Sequence, residues 1–167
     1  LHAQRNYAES ISLLREVVAM RVRISGEQHA ETASDYRLLA WHLVHCPDPK
    51  FRDATDAVLF ASRAVEIDPA NGSIWRTLGQ AQYRAGHWDA AIDALEKSVK
   101  LSKGGTADDF FFLAMAHSKR GDAKAAQRWF DKANQWVAKH RSNEFLDQCR
   151  AEAESLLGEV LEGRSKE

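Results

Sequence analysis

The stretch from Asn71 to Leu101 constrains the fold more than any other part of the sequence. Its apolar side chains recur at helical spacing in two runs, the first from Ile74 to Ala81 and the second from Trp88 to Val99. Only Ala85-Gly86-His87 separates the runs, so the two predicted helices must lie antiparallel as a hairpin. Gly79 lies inside the first apolar stripe, and Gly within a helix costs about 1 kcal/mol relative to Ala. Close approach of the two helix backbones is the economical explanation for it.

The same hairpin recurs further along the chain. A shift of about 34 residues aligns the apolar and small residues of this unit with those of the next. The aligned pairs are Trp75 with Phe110, Leu78 with Leu113, Gly79 with Ala114, Gly86 with Gly121, Ala91 with Ala126 and Leu95 with Phe130. Self-similarity at this period is typical of a helical solenoid, in which each hairpin stacks on its neighbour.

These hairpins contain motifs that resemble the tetratricopeptide repeat. The central unit has Trp75-x-x-Leu78-Gly79 followed by Ala91-x-x-x-Leu95, and the preceding unit has Ala57, Ala64 and Pro69 at corresponding positions. Three positions depart from the family pattern without removing the small packing residues: Gln82 in place of Tyr, Ala114 in place of Gly, and Lys103 in place of Pro. The resemblance implies an all-α fold, a right-handed superhelix of stacked helical hairpins.

The apolar pattern divides the chain into the units of a single domain, residues 1–167. The expected units are a half repeat at 1–24, an irregular repeat at 32–69 with a long loop at 46–52, repeats at 72–103 and 106–139, and an amphipathic capping helix at 142–161. The half repeat looks like the second helix of a repeat, and residues 26–32 resemble the interhelical loop of kinesin-light-chain-like repeats. We therefore expect Leu1 to be an arbitrary start within a longer protein.

Polar residues mark where several of these helices begin. Thr32-x-x-Asp35 and Thr106-x-x-Asp109 each predict a capping box, in which a side chain at each end accepts a hydrogen bond from the backbone of the other. Asp53 and Asp122 are predicted N-caps of the second helices of their hairpins.

Composition excludes several classes of function. The formal net charge of −1 provides no general attraction to nucleic acid or to an anionic membrane. No apolar run approaches the roughly 20 residues that a membrane span requires. The two cysteines, Cys46 and Cys149, lie far apart in helical context, which favours a reducing compartment and a cytoplasmic location.

A second resemblance covers residues 38–158. The segment AWHLVHCPDPKFRD, followed by the two hairpins and by RAEAESLLG, is similar to a repeat module of large bacterial multidomain proteins. Some of those proteins carry a serine/threonine protein kinase domain upstream. This chain itself has neither a glycine-rich phosphate loop nor segments like the kinase catalytic motifs. The resemblance therefore implies a non-catalytic module whose parent could be a kinase.

The concave side of the superhelix is the expected binding surface, because the first helix of each pair lines it in this family. The resemblance places Arg37, Trp41, Arg76, Gln80, Tyr83, Arg84, Phe111, Met115 and Lys119 on that side, with Ser34, Val44, His45, Ser73, Asp108 and Ser118 beside them. Arginine can grip a carboxylate with two parallel hydrogen bonds, and aromatic rings supply apolar contact area. The alternative is that the cations are merely solvated and the aromatic side chains partly belong to the core. Tyr83 could also replace the core Tyr that the family prefers at Gln82.

Other chemistry finds less support. His42, His45 and Cys46 are potential zinc ligands, but a fourth ligand at suitable spacing is missing, so we expect a structural role and no metal or cofactor. His117 and Cys149 lie in apolar stripes and are expected to be buried. The acidic residues mostly occupy exposed helix faces, where they suit capping and ion pairs rather than catalysis.

The sequence thus predicts a non-catalytic protein–protein interaction module, a scaffold or regulatory region that binds a peptide of acidic character in its groove. The alternative is a structural spacer or self-association segment of a larger enzyme, such as a bacterial serine/threonine protein kinase. A monomer is favoured over an oligomer, and neither nucleic acid nor membrane is expected as a partner.

Overall fold

Stacked antiparallel helix pairs build the structure. The computed structural model describes residues 2–164, with side chains described from Asn6 to Glu159. Within this range the helices are α1 (His2–Ser25), α2 (Ala30–His45), α3 (Ala54–Ile67), α4 (Gly72–Arg84), α5 (Trp88–Leu101), α6 (Ala107–Lys119), α7 (Ala123–Lys139) and α8 (Glu144–Arg164), with a short 3-10 helix (Pro49–Phe51) after α2. No residue of the described range lies in a strand, so the predicted all-α helical-repeat class is confirmed.

Small residues allow the helices of each pair to approach closely. Ala40, Ala57, Ala91, Ala114 and Ala126 are all fully buried at the helix contacts. A Cβ atom added at Gly79 would lie 2.5 Å from Leu95 Cγ, closer than real Cβ atoms approach other heavy atoms, and 3.1 Å from the Ala91 carbonyl oxygen, which is also tight. The family positions quoted from the sequence therefore do pack as expected.

Three of the four predicted helix starts are confirmed. The Asp53 carboxylate accepts from the Asp56 backbone N–H (2.9 Å), and the Asp122 carboxylate accepts from Ala125 N–H (3.0 Å). Asp109 accepts from the Thr106 backbone N–H (2.9 Å) in the expected capping box.

The capping box predicted at Thr32 is wrong. Helix α2 begins earlier, at Ala30, with His29 as its N-cap accepting from the Glu31 backbone N–H. Thr32 therefore lies within the first turn. Its hydroxyl is buried and donates to the Gly26 carbonyl oxygen (2.8 Å), which ties the α1–α2 loop to the helix.

Helix α8 begins close to the expected start of the capping helix. Its position on the solenoid, however, is not that of a helix that simply follows α7 in the stack. It packs more extensively on α6 than on α7. Leu146, Cys149 and Ala153 join the core cluster that contains the apolar residues of α6. A helix that only continued the stack would pack mainly on the preceding second helix, as α4 does on α3. Helix α8 instead crosses the side of the solenoid formed by the first helices of the pairs.

Helix α1 forms the other end of the stack. Val18 is buried against α2, with Ile11, Leu14 and Val22 partly buried beside it. None of the helices in the described residues is long and apolar enough to cross a bilayer.

Candidate functional site: a groove divided by the last helix

Residues of α2 and of the N-terminal halves of α4 and α6 line a small polar cleft that is open to solvent. The cleft has a volume of about 300 Å³, and we call it the open groove: Ser34, Arg37, Trp41, Asn71, Ser73, Arg76, Thr77 and Asp108. Six of these eight residues were expected on the concave side from their repeat positions, Asn71 and Thr77 being the additions. The structure thus brings together residues that are separated by more than a full repeat in the sequence.

Arg76 is held by carboxylates of the next repeat. Its Nε lies 3.1 Å from Asp109 Oδ1 and 3.6 Å from Asp108 Oδ2. Asp109 is fully buried and also accepts from the Ser98 hydroxyl (2.8 Å). Burial alone would lower the pKa of Arg76, but the two carboxylates raise it above its ordinary value. The Arg76 guanidinium therefore already has charge partners within the chain, and its ion pairs join α4 to α6.

Arg37 and Trp41 differ from Arg76 in having accessible functional groups. The Arg37 guanidinium makes no ion pair or hydrogen bond with any described residue. The Trp41 ring is 36% exposed and lies one helical turn away on α2. A free cation beside a partly exposed aromatic ring is a combination that favours contact with a partner.

The second half of the expected groove is covered by α8. Glu152 of α8 accepts two hydrogen bonds from Arg84, from Nη1 to Oε1 (2.6 Å) and from Nη2 to Oε2 (2.8 Å). It also accepts from the Tyr83 hydroxyl (3.3 Å). Burial, followed by the charge of Glu152, raises the pKa of Tyr83, so this hydroxyl stays protonated and donates. Arg84 and Tyr83 thus bind a carboxylate as expected, but the carboxylate belongs to the same chain.

Three further residues expected on the concave surface are fully buried: Gln80, Phe111 and Met115. The expectation that they face an open surface is corrected: Phe111 and Met115 belong to the core cluster of α6, α7 and α8, and the Gln80 side chain bonds to α2 and α6. Val44 and Ser118 are buried as well, whereas Lys119 is exposed at the end of α6, outside the open groove.

Gln80 connects two helices through its side chain. Its amide nitrogen donates to Asp108 Oδ2 (3.3 Å), which turns its amide oxygen toward His45 Nε2 (2.9 Å). This arrangement requires the His45 tautomer that carries a proton on Nε2. Burial lowers the pKa of His45 to about 4, in part opposed by this hydrogen bond, so the ring is neutral at pH 7.

A larger cleft lies between the first turns of α1, the last turns of α2 and the start of α8. Its volume is about 730 Å³, and we call it the N-terminal cleft, with Tyr7, Ile11, Trp41, His42, His45 and Phe145 among its lining residues. The Phe145 ring stands edge-on to His45 at 4.7 Å between centroids. Trp41 lines both this cleft and the open groove, so the two are adjacent.

The proposed metal ligands do not form a site. Within the described residues, no group of three or more His, Cys, Asp and Glu side chains is placed to hold a metal ion. His45 is instead bonded to Gln80, and Cys46 is buried. Burial raises the pKa of the Cys149 thiol to about 12, which keeps it protonated and unreactive.

Sequence reasoning missed the role of Phe112, Phe145 and Glu152. A signal for Phe112 was present, since apolar residues run without interruption from Phe110 to Ala116. A helix that is apolar on every side must be covered on every side. In this structure the third covering element is α8, a helix from elsewhere in the chain.

Comparison with known families supports the repeat assignment. Two segments, residues 72–104 and 1–31, match patterns described as tetratricopeptide repeat. The first is the α4–α5 hairpin, and the second is α1 with its following loop. The sequence finds no match among curated proteins.

Solved structures match along almost the whole chain. A crystal structure of MamA is 18% identical with a TM-score of 0.61, and the alignment covers 99% of this chain and 92% of MamA. A Podosopora anserina kinesin light chain of nearly identical tetratricopeptide-like repeats is 19% identical with a TM-score of 0.66, covering 99% and 90%. Likeness at this identity shows the fold. The two matched segments have the pattern of the tetratricopeptide repeat, and the chain as a whole shares the helical-repeat fold of these structures. Domains of this class are generally non-catalytic protein-interaction scaffolds.

Proposed function

We propose that this domain binds a peptide segment of a partner protein across Trp41, with an acidic group of the peptide at Arg37. The observation that supports it best is the pairing of an accessible cation with an accessible ring at the junction of the two clefts. An ion-pair partner for Arg37 would cost little desolvation there, because the guanidinium is only partly buried. An apolar side chain of the same peptide fits the N-terminal cleft beside Tyr7 and Ile11.

The contact between α8 and the solenoid supports the acidic preference. Glu152 shows how a helix that lies on this side of the domain can satisfy an arginine from the groove with a bidentate carboxylate. Phe145, one residue beyond the start of α8, packs on His45 and near Trp41 (6.4 Å between centroids). An acidic peptide with an aromatic or aliphatic residue would extend this arrangement into the part of the groove that α8 leaves open.

The test is a selection of peptides from a random display library on the 167-residue chain, followed by titration of selected synthetic peptides. Binding should weaken about tenfold or more in Arg37→Ala and in Trp41→Ala, since each removes a central contact. The matched controls are Trp88→Ala, whose ring on α5 is 37% exposed, and Lys124→Ala, an exposed cation on α7. Selected peptides that bind all four variants with equal affinity would contradict the proposal.

The alternative function is a spacer or self-association segment within a larger enzyme such as a serine/threonine protein kinase. The link to an enzyme rests on the sequence resemblance alone. It predicts that peptide selection enriches no sequence that depends on Arg37 or Trp41, and that a kinase domain in the parent reading frame retains its activity when these residues are replaced.

A further inference from the structure

Helix α1 carries an exposed apolar stripe. Leu13, Val17, Met20 and Ile24 have 54%, 43%, 58% and 75% of their surfaces exposed. They are half of the eight large hydrophobic side chains that are exposed in the described part of the chain. Concentration of so much exposed apolar surface on one face of one helix marks an interaction surface rather than the scattered apolar residues of an ordinary exterior.

The spacing of the stripe is that of a helix–helix seam. Its members follow one another at intervals of four, three and four residues, the spacing of positions that interlock in a coiled coil. The opposite face of α1 is already used, since Val18 and its neighbours pack on α2. Helix α1 is therefore apolar on two sides, and the described residues cover only one of them.

The charges beside the stripe identify the helix that fits it. Glu16 and Arg23 lie along one edge of the stripe, both are exposed, and neither pairs with another described residue. If a second α1 packs antiparallel so that Leu13 meets Ile24 of the second copy, then Val17 meets Met20 of the second copy. In that register Glu16 lies beside Arg23 of the second copy, and two-fold symmetry forms the same ion pair twice.

A parallel arrangement does not use these charges as well. It would direct Glu16 toward Arg21 of the other helix, but Arg21 already donates to Asp35 Oδ2 (2.9 Å) and Glu31 Oε2 (2.6 Å) within its own chain. Two copies of the stripe and of the charges beside it therefore complement each other only when the two helices are antiparallel.

We propose that two copies of this domain associate through α1, with the helices antiparallel and with the stripe Leu13–Val17–Met20–Ile24 forming the shared seam. The interface lies on α1, at the end of the stack opposite α7 and α8. It differs from the peptide site at Trp41 in the residues used and in the partner that it binds. Association through α1 would display two grooves on one two-fold assembly.

Sedimentation equilibrium of the 167-residue chain over about a hundredfold range of concentration tests the proposal. The weight-average mass should rise from that of one chain toward that of two. Met20→Ser should weaken association at least tenfold, whereas Leu59→Ser, which replaces an exposed leucine of α3, should not change it. These side chains are exposed in the single chain, so far-UV circular dichroism should remain unchanged.

A charge exchange tests the antiparallel register. Glu16→Arg alone should weaken association, because it faces Arg23 of the second copy with a like charge, and Arg23→Glu alone should do the same. The double variant Glu16→Arg/Arg23→Glu should recover it at low salt. A single-chain mass at every concentration would overturn the proposal and assign the stripe to a helix of another polypeptide or segment. Failure of the double variant to recover would overturn the antiparallel pairing.

Discussion

The first and last helices of the described stack differ in how much of their apolar surface is covered. At the C-terminal end α8 folds across α6 and α7, and its apolar residues Leu146, Cys149 and Ala153 join the core. At the N-terminal end α1 packs with one face and leaves four large apolar side chains exposed on the other. The terminal helices of a helical repeat have an apolar face with no neighbouring repeat to cover it. In this structure α8 covers such a face at one end, whereas the apolar face of α1 is left exposed at the other.

The same difference explains why only part of the groove is open. Where α8 crosses the first helices of the later pairs, Phe111, Phe112 and Met115 are fully buried. Toward α2 none of the described helices covers Arg37 and Trp41 in this way, so these residues line an open cleft. The position of a residue within its repeat determines whether its side chain points toward the concave side. Whether that side chain is exposed to solvent depends on whether α8 covers that part of the concave side.

The largest loss of stability is expected from a substitution at the covered end, where α8 lies over the first helices of the later pairs. Phe112 is fully buried, with the rings of Tyr83 and His45 edge-on to it at 5.4 and 5.9 Å and the Arg84 guanidinium 5.5 Å from its centroid. Phe112→Ala should lower the free energy of unfolding by about 3–5 kcal/mol, because it removes a large buried ring and leaves a cavity.

Urea denaturation at a single low protein concentration measures this loss. Leu13→Ala at the open end is the matched control and should change the free energy of unfolding by less than about 0.5 kcal/mol, since its side chain is already half in water. Equal losses for the two variants would mean that the ends do not differ in the way described.

Much of this architecture follows from local sequence. Gly79, Ala91 and Leu95 predict one close helix contact from spacing alone, and the Gly79 contact with Leu95 is tight enough that no larger residue fits. The open groove was also predictable at Arg37, Trp41 and Arg76, because their positions in each hairpin determine the direction of their side chains. Such inferences depend on neighbours within about one repeat.

The place of α8 could not be obtained in the same way. Its amphipathic pattern predicts a helix with one apolar face, but that face suits either α7 or α6 as a partner. What decides between them is the uncovered third side of α6 and the fit of Glu152 to Arg84, residues that are 68 positions apart. The pairing is a tertiary choice, so Tyr83 and Arg84 were expected on an open surface and instead bind Glu152 of α8.

The second largest effect is expected from acidification, which should lower the free energy of unfolding through His45 at the covered end. His45 lies where α2, α4 and α8 meet, and its pKa is lowered to about 4, against about 6.5 for an unfolded chain. At pH 7 both states hold the ring mostly neutral. As the pH falls below about 6.5 the unfolded state takes up a proton that the native state does not, so stability is lost until the pH reaches about 4.

Between pH 7 and pH 5 this single group should lower the free energy of unfolding by about 2 kcal/mol. Burial also lowers the pKa values of His42 and His117, which adds to the loss in the same direction. The part that belongs to His45 is therefore isolated by His45→Gln, whose own stability should fall by less over the same interval. Identical slopes for the two proteins would show that His45 is not buried as a neutral ring.

The smallest changes in stability are expected when an ion pair is removed at either end. Glu152 accepts two bonds from Arg84 and one from Tyr83, whereas Arg15 makes one bond to Asp56, from Nη2 to Oδ2 (2.6 Å). Glu152→Gln should lower the free energy of unfolding by about 1–2 kcal/mol, because Arg84 then stays partly buried without a charge partner. Arg15→Met, which keeps the apolar stem, should cost less than about 1 kcal/mol.

Hydrogen exchange and salt separate these two ion pairs more sharply than the total stability does. Loss of the Glu152 carboxylate should speed exchange in α8 and leave α1 unchanged, since α8 is held by that contact while α1 packs on α2. The Arg15–Asp56 pair joins side chains that are 41% and 33% exposed, so added salt should screen it and erase the small effect of Arg15→Met. If salt erased the effect of Glu152→Gln as completely, Glu152 would act as a surface charge, and α8 would be held on the groove by its apolar residues alone.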